Sequence, residues 1–186
     1  MMKNIKSTKN SKVYRMANIG VMSAVLCILG PLSIPIGLVP ISFTNLGIYI
    51  TVYTLGMKKG TLSFLIYLLV GFAGIPVFSG FTSGPSKLLG PTGGYLIGFI
   101  FMTLIAGFFI DRFTNKRSLC VVGMILGTAV CYLFGTLWLA YQANISASSA
   151  FSVGVIPFIP GDLVKIMISA YLGPKIRNLL LKAHLF

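Results

Sequence analysis

Stretches without a single charged residue, each long enough to cross a bilayer as a helix, recur along this chain from end to end. The first runs from Met16 to Met57, 42 residues, about twice the roughly 20 that one helix needs to cross a hydrocarbon core. It must break, and "GPLSIPIGLVP" supplies the break, because Pro31, Pro35 and Pro40 forbid a continuous helix and favour extended backbone. Spans one and two are predicted on either side. "MKKG" (Met57 to Gly60) turns the chain into a third span from Thr61 to Ile75, ended by Pro76, and the Gly-, Ser- and Pro-rich "VFSGFTSGPSKLLGP" reads as a loop. A fourth span is expected from Thr92 to Ile110, stopping at "DRFTNKRS", and a fifth from Leu119 to Tyr141. The sixth follows "SASSAFSVGVIPFIP" and runs from Pro160 to Tyr171 and beyond, with proline where a helix start tolerates it best.

Composition agrees: 56% of the 186 residues are hydrophobic and 9% are charged, too apolar for a soluble surface. Fifteen basic residues against two acidic ones give a formal charge of +13, which in a soluble protein would suggest nucleic acid. Here their placement points to a membrane instead. Five basic residues precede the first span, two lie in "MKKG", three in "DRFTNKR" and three at the C-terminus, so thirteen of the fifteen share one side when both termini are cytoplasmic. The expected architecture is an all-α, polytopic membrane protein with one domain over 1–186: a basic cytoplasmic tail at 1–15, then six spans within about 16–181. No small-residue cleavage site follows the basic start and "AVLC" is a poor lipobox, so the tail is expected to stay attached. Cys27, Cys120 and Cys131 are odd in number, lack CxxC spacing and fall in apolar segments, which makes them packing residues.

Asp111 is accounted for by its basic neighbours, whereas Asp162 and Lys165 sit in a greasy segment, three residues apart and so on one helix face near the outer end of span six. Charge inside a membrane costs on the order of 2.5 to 3.5 kcal/mol per residue at a helix centre. Two readings offset that cost. One is a local ion pair, with Asp162 also favoured by the helix dipole; the other is a polar ligand entering from outside and held by both side chains. The outer loops bring Ser42, Thr44 and Asn45 from one side and Lys87, Thr92 and Tyr95 from the other, a set of hydrogen-bonding groups with an aromatic wall that suits a small organic ligand.

"GPTGGYLIGF" is not a phosphate cradle, since neither G-x-x-x-x-G-K-[ST] nor G-x-G-x-x-G is present. Gly94/Gly98 and Gly123/Gly127 are GxxxG pairs expected to pack spans together. Ala17, Gly20 and Ala24 form a small-residue face on the first span that suits internal packing and a partner helix equally. His184 lies in the basic tail, Asn144 opens an "NIS" triplet meaningful only where glycosylation occurs, and no HExxH or GxSxG constellation speaks for an enzyme. A self-sufficient transporter using Asp162 and Lys165 for proton exchange is the alternative to a ligand-capture subunit.

"VPISFTNLGIY", "YLLVGFAGIPVFSG", "GPTGGYLIGF" and "IPFIPGDLVK", in this order and spacing, resemble the BioY family, the biotin-binding S components of energy-coupling factor transporters. The resemblance covers roughly 17–171. It implies a six-helix protein of the bacterial plasma membrane that captures biotin with high affinity at the outer face. Such a protein works with a transmembrane coupling subunit and two cytoplasmic ATPases, with no cofactor and no nucleic acid, among membrane lipid. It places the family's "PGDxxK" on Asp162 and Lys165 and its "GPTGGY" on Gly90 to Tyr95, Thr92 and Gly93 included. An aspartate accepts the ureido N–H groups of biotin, and a lysine donates to the ureido oxygen or to the valerate carboxylate. The chain departs from the family's "VPxTxQ", with Ser42 and Thr44 at the Thr and Gln positions. Docking through small residues of the first span, expected of S components, favours Ala17, Gly20 and Ala24 as the partner face.

Overall fold

The computed structural model describes residues 5–35 and 39–182, with side chains from residue 12 onward. Lys3 and His184 lie outside the described residues. The described chain is helical apart from one small hairpin: α1 (Ile5–Leu29), β1 (Ser33–Ile34), β2 (Ile41–Ser42), α2 (Thr44–Phe72), α3 (Pro85–Leu89), α4 (Gly93–Arg112), α5 (Arg117–Ala143), α6 (Ala147–Gly154) and α7 (Ile159–Lys182).

Helix α1 begins at Ile5, well inside the basic stretch expected to be a tail. No Gly or Pro occurs before Gly20, and Lys and Arg are good helix formers, so nothing stops the helix from running out past the apolar segment. The proline-rich break after α1 is extended, as its composition demands. Ser33 pairs with Ser42 and Ile34 with Ile41 in an antiparallel hairpin.

The second and third expected spans fall in α2, and the reversal between them comes at Gly56, one residue before "MKKG". Gly56 has φ 79° and ψ 176°, outside any helix and open only to glycine without strain. Beyond it the chain folds back. Thr44 and Tyr67 line the same cavity, whereas a straight helix would hold them about 34 Å apart. At the end of α4, Asp111 completes this turn: its Oδ2 accepts the Met57 N–H at 2.8 Å. Lys58 and Lys59 belong to the first turn of the second arm, which ends at Phe72.

Two expected loops contain short helices. Pro85 opens α3, and Ser146 caps α6 by accepting the Ser149 N–H at 3.2 Å. Helix α7 opens with Ile159 and Pro160 in its first turn, and α6 and α7 meet at a bend of 50°. Among the described residues four helices are long and apolar enough to cross a membrane, or five when α6 and α7 count as one broken span. The chain is a multi-pass membrane protein.

The core is aromatic and sulfur-rich. Tyr49, Tyr53, Phe64, Tyr67, Phe78 and Met102 are almost fully buried, and the Phe78 ring meets Tyr67 edge-on at 5.6 Å. Helices α4 and α5 approach nearly backbone to backbone: a Cβ on Gly98 would stand 2.9 Å from the Cys131 Cα and 3.0 Å from its carbonyl oxygen. The GxxxG pair thus packs spans, as expected. Gly20 differs, with nothing within 4 Å of such a Cβ. Gly98→Val therefore lowers stability by about 1 to 3 kcal/mol through overpacking against backbone, while Gly20→Val leaves it unchanged; thermal melting of both variants in detergent checks the pair.

Candidate functional site

The two charges of the apolar segment are folded inward. Asp162 stands in the first turn of α7, where the N-terminal end of the helix dipole favours a carboxylate, and Lys165 follows one turn on. Asp162 is 6% exposed and Lys165 7%, and Lys165 Nζ lies 3.0 Å from Asp162 Oδ1. Burying such a pair is tolerable only when further hydrogen bonds complete it, and three other elements supply them. Asn45, at the start of α2, donates from Nδ2 to Asp162 Oδ1 at 2.7 Å. Tyr132, in the middle of α5, donates its hydroxyl to Asp162 Oδ2 at 2.6 Å. Lys165 also donates to the Ser42 carbonyl at the end of β2, at 2.7 Å, and sits 5.8 Å from the centre of the Phe43 ring.

This cluster forms one wall of a cavity at the hairpin end of the bundle, with about 660 Å³ of empty space counting its open mouth. Eight of the nine sequence candidates for ligand contact line it: Ser42, Thr44, Asn45, Lys87, Thr92, Tyr95, Asp162 and Lys165. Gly93 does not. A Cβ there would overlap the Leu88 carbonyl and approach the Trp138 indole nitrogen, so glycine lets α4 start tightly beneath α3.

Tyr95 contributes a ring wall and anchors its hydroxyl on the Gly154 carbonyl at 2.9 Å, tying α4 to the end of α6. Ser42 Oγ donates to Thr44 Oγ1 at 3.0 Å. Lys87 comes from the last turn of α3, and partial burial there lowers its ammonium below the ordinary lysine value. Aromatic walls from Tyr67, Phe99 and Phe158 complete the apolar part.

The cavity also draws on residues that the sequence reading passed over, chiefly Tyr132, Thr128 and Cys131 on α5. They sit in an uninterrupted apolar run, and the one available signal was spacing: Thr128 and Tyr132 are four residues apart, hence on one face. Cys131 is a buried free thiol with Sγ 3.6 Å from the Tyr95 carbonyl.

The arrangement has a definite hydrogen-bonding capacity. A carboxylate offers about four lone-pair positions, and Asp162 uses three, on Asn45, Lys165 and Tyr132. An ammonium has three donors, of which Lys165 uses two, on Ser42 and Asp162. One acceptor position, on Asp162 Oδ2, and one Lys165 donor remain, on two residues that both line the cavity. The ion pair that the sequence offered as one reading is formed, and both of its members line the cavity.

The model of the BioY family matches residues 2–182. This chain belongs to the BioY family. It is 33% identical over 165 residues to "Biotin transporter BioY2" of Lactococcus lactis subsp. cremoris, covering 89% of this chain and 91% of that protein. To "Biotin transporter BioY" of Thermotoga maritima it is 32% identical over 160 residues, covering 86% and 94%. Among solved structures, the S component for biotin from an ECF-type ABC transporter superposes with a TM-score of 0.84 at 32% identity, covering 96% of this chain and 95% of that one. BioY membership and the S-component fold therefore rest on nearly the whole chain.

Because the buried pair is mutually satisfied, removing one partner is worse than removing both. Asp162→Ala strands the Lys165 ammonium and costs about 3 to 5 kcal/mol; the double variant Asp162→Ala/Lys165→Met recovers the part due to that stranded charge while Asn45 and Tyr132 stay unpaired, so it melts between Asp162→Ala and the parent in detergent.

Proposed function

We propose that this BioY-family chain is the substrate-capture subunit of an ATP-driven vitamin uptake system, binding biotin with high affinity in the cavity at the hairpin end. The observation that carries the reading is the spare hydrogen-bonding capacity of Asp162 and of Lys165, two residues lining a cavity that also has aromatic walls. A cyclic urea presents the complementary pair, N–H and C=O, on adjacent atoms. The apolar remainder of biotin then lies among Tyr67, Tyr95, Phe99 and Phe158, and Lys87 supplies a second cation for the valerate carboxylate. The names of the relatives support the same ligand.

In this reading the chain crosses the plasma membrane of a bacterial cell six times. The two arms of α2 count separately across Gly56, α6 and α7 together form the last crossing, and both termini are cytoplasmic. The basic residues support that orientation. Lys58, Lys59, Arg112, Lys116, Arg117, Lys175 and Arg177 all belong to the end opposite the cavity, which the positive-inside rule assigns to the cytoplasm. The chain performs no chemistry of its own. Energy comes from two ATPase subunits through a transmembrane coupling subunit, which docks on α1. There Ala17, Gly20 and Ala24 are exposed along one side of the helix, and no neighbour touches the position of a Gly20 Cβ. Small residues let a partner helix approach that closely.

Calorimetric titration of the purified protein with biotin shows saturable binding, and Asp162→Asn weakens it about 10- to 100-fold by leaving a polar group of the buried ligand badly paired. Unchanged affinity in the variant removes Asp162 from the site, and no binding by either protein sinks the reading. Gly20→Leu and Ala24→Leu leave biotin affinity intact and abolish co-purification with the coupling subunit; normal co-purification moves the docking face elsewhere.

A further inference from the structure

At the end of the bundle opposite the cavity, the α2 reversal, the end of α4 and the last turns of α7 enclose a second cleft, of about 790 Å³ counting its open mouth. Among the described residues, Lys58, Lys59 and Arg177 line it together with one carboxylate, Asp111. That carboxylate is already committed, because its Oδ2 accepts the Met57 N–H at 2.8 Å. Its Oδ1 lies 3.8 Å from Arg177 Nη1, an ion pair too long for a hydrogen bond. Arg177 Nη1 is buried and has no hydrogen-bond partner among the described residues. A buried guanidinium N–H without an acceptor is costly, and the planar fork of arginine matches the oxygens of a phosphate. The flank of the cleft is apolar, built by Leu55 and by the exposed Leu181.

We infer that this cleft binds the phosphate of an anionic phospholipid, with Arg177 Nη1 on a phosphate oxygen, Lys58 adding charge, and an acyl chain along Leu181. A free phosphate shares the headgroup chemistry but gains nothing from the apolar flank. The inference requires only that the chain be embedded in a bilayer, so it stands or falls separately from biotin binding. Basic pockets between membrane helices recognise anionic headgroups on this physical ground.

The test is native mass spectrometry of the full chain in detergent with phosphatidylglycerol or phosphatidylcholine of identical acyl chains. Phosphatidylglycerol is retained about tenfold better, and Lys58→Gln and Arg177→Gln each reduce its retention about fivefold. Lys116→Gln, a neutralisation outside the cleft, leaves retention unchanged, as does millimolar inorganic phosphate. Lys58 is exposed, so its variant keeps the fold even where Arg177→Gln disturbs the Asp111 contact. Equal retention of the two lipids, or equal losses in Lys58→Gln and Lys116→Gln, overturns the site. Displacement of the lipid by inorganic phosphate overturns the lipid as its occupant and assigns the cleft to a free anion.

Discussion

A single carboxylate organises the hairpin end. Asp162 receives donors from α2, α5 and its own helix α7, and in a medium where an unpaired polar group is prohibitive those donors are what make its burial tolerable. The dependence runs both ways. Asn45 and Tyr132 are held in single orientations by the charge they serve, and Lys165 carries the constraint outward to the backbone of the β-hairpin through the Ser42 carbonyl. The cavity walls are therefore fixed by one shared hydrogen-bonding centre rather than by independent side chains, which is how an apolar bundle acquires a shaped polar pocket.

The second acidic residue does related work at the other end. Asp111 accepts the first N–H after the Gly56 reversal and faces Arg177 of α7. Both carboxylates of this chain thus stand where α2 meets other elements, one at its start and one at its reversal. At the hairpin end the carboxylate is buried and neutralised by a lysine; at the opposite end it is half-exposed and outnumbered by cations. The same device gives a polar-walled cavity on one side and a cationic cleft on the other.

Much of this was legible in the sequence because membranes penalise ambiguity. Uncharged runs, prolines and clustered basic residues mark where α4 and α5 begin and end and where α7 begins, though α1 runs back through the basic stretch to Ile5, and a charged pair inside such a run has few explanations besides an internal polar site. Asp162 and Lys165 were visible for that reason, and Ser42, Thr44, Asn45 and Thr92 because polar residues at helix entrances stand out against apolar neighbours. Tyr132 was not, since in an apolar helix a tyrosine is equally a packing residue until its hydroxyl finds a charge across the bundle. Gly93 has the opposite history: its motif suggests ligand contact, but its place is set by the Leu88 carbonyl. The short helices α3 and α6 hide in loop-like composition, because their lengths of 5 and 8 residues leave too little sequence for a periodic pattern, and tertiary contacts such as Tyr95 to Gly154 sustain α6.

The close approach of α4 and α5 at Gly98 has a mechanical side. Where two backbones touch with no intervening layer of side chains, sliding or parting them opens a gap that no rotamer change can fill. The two helices consequently behave as one stiff plank. Any rearrangement of the bundle therefore carries α4 and α5 together, and with them the cavity wall built by Leu96 and Phe99 on one helix and Thr128 and Cys131 on the other.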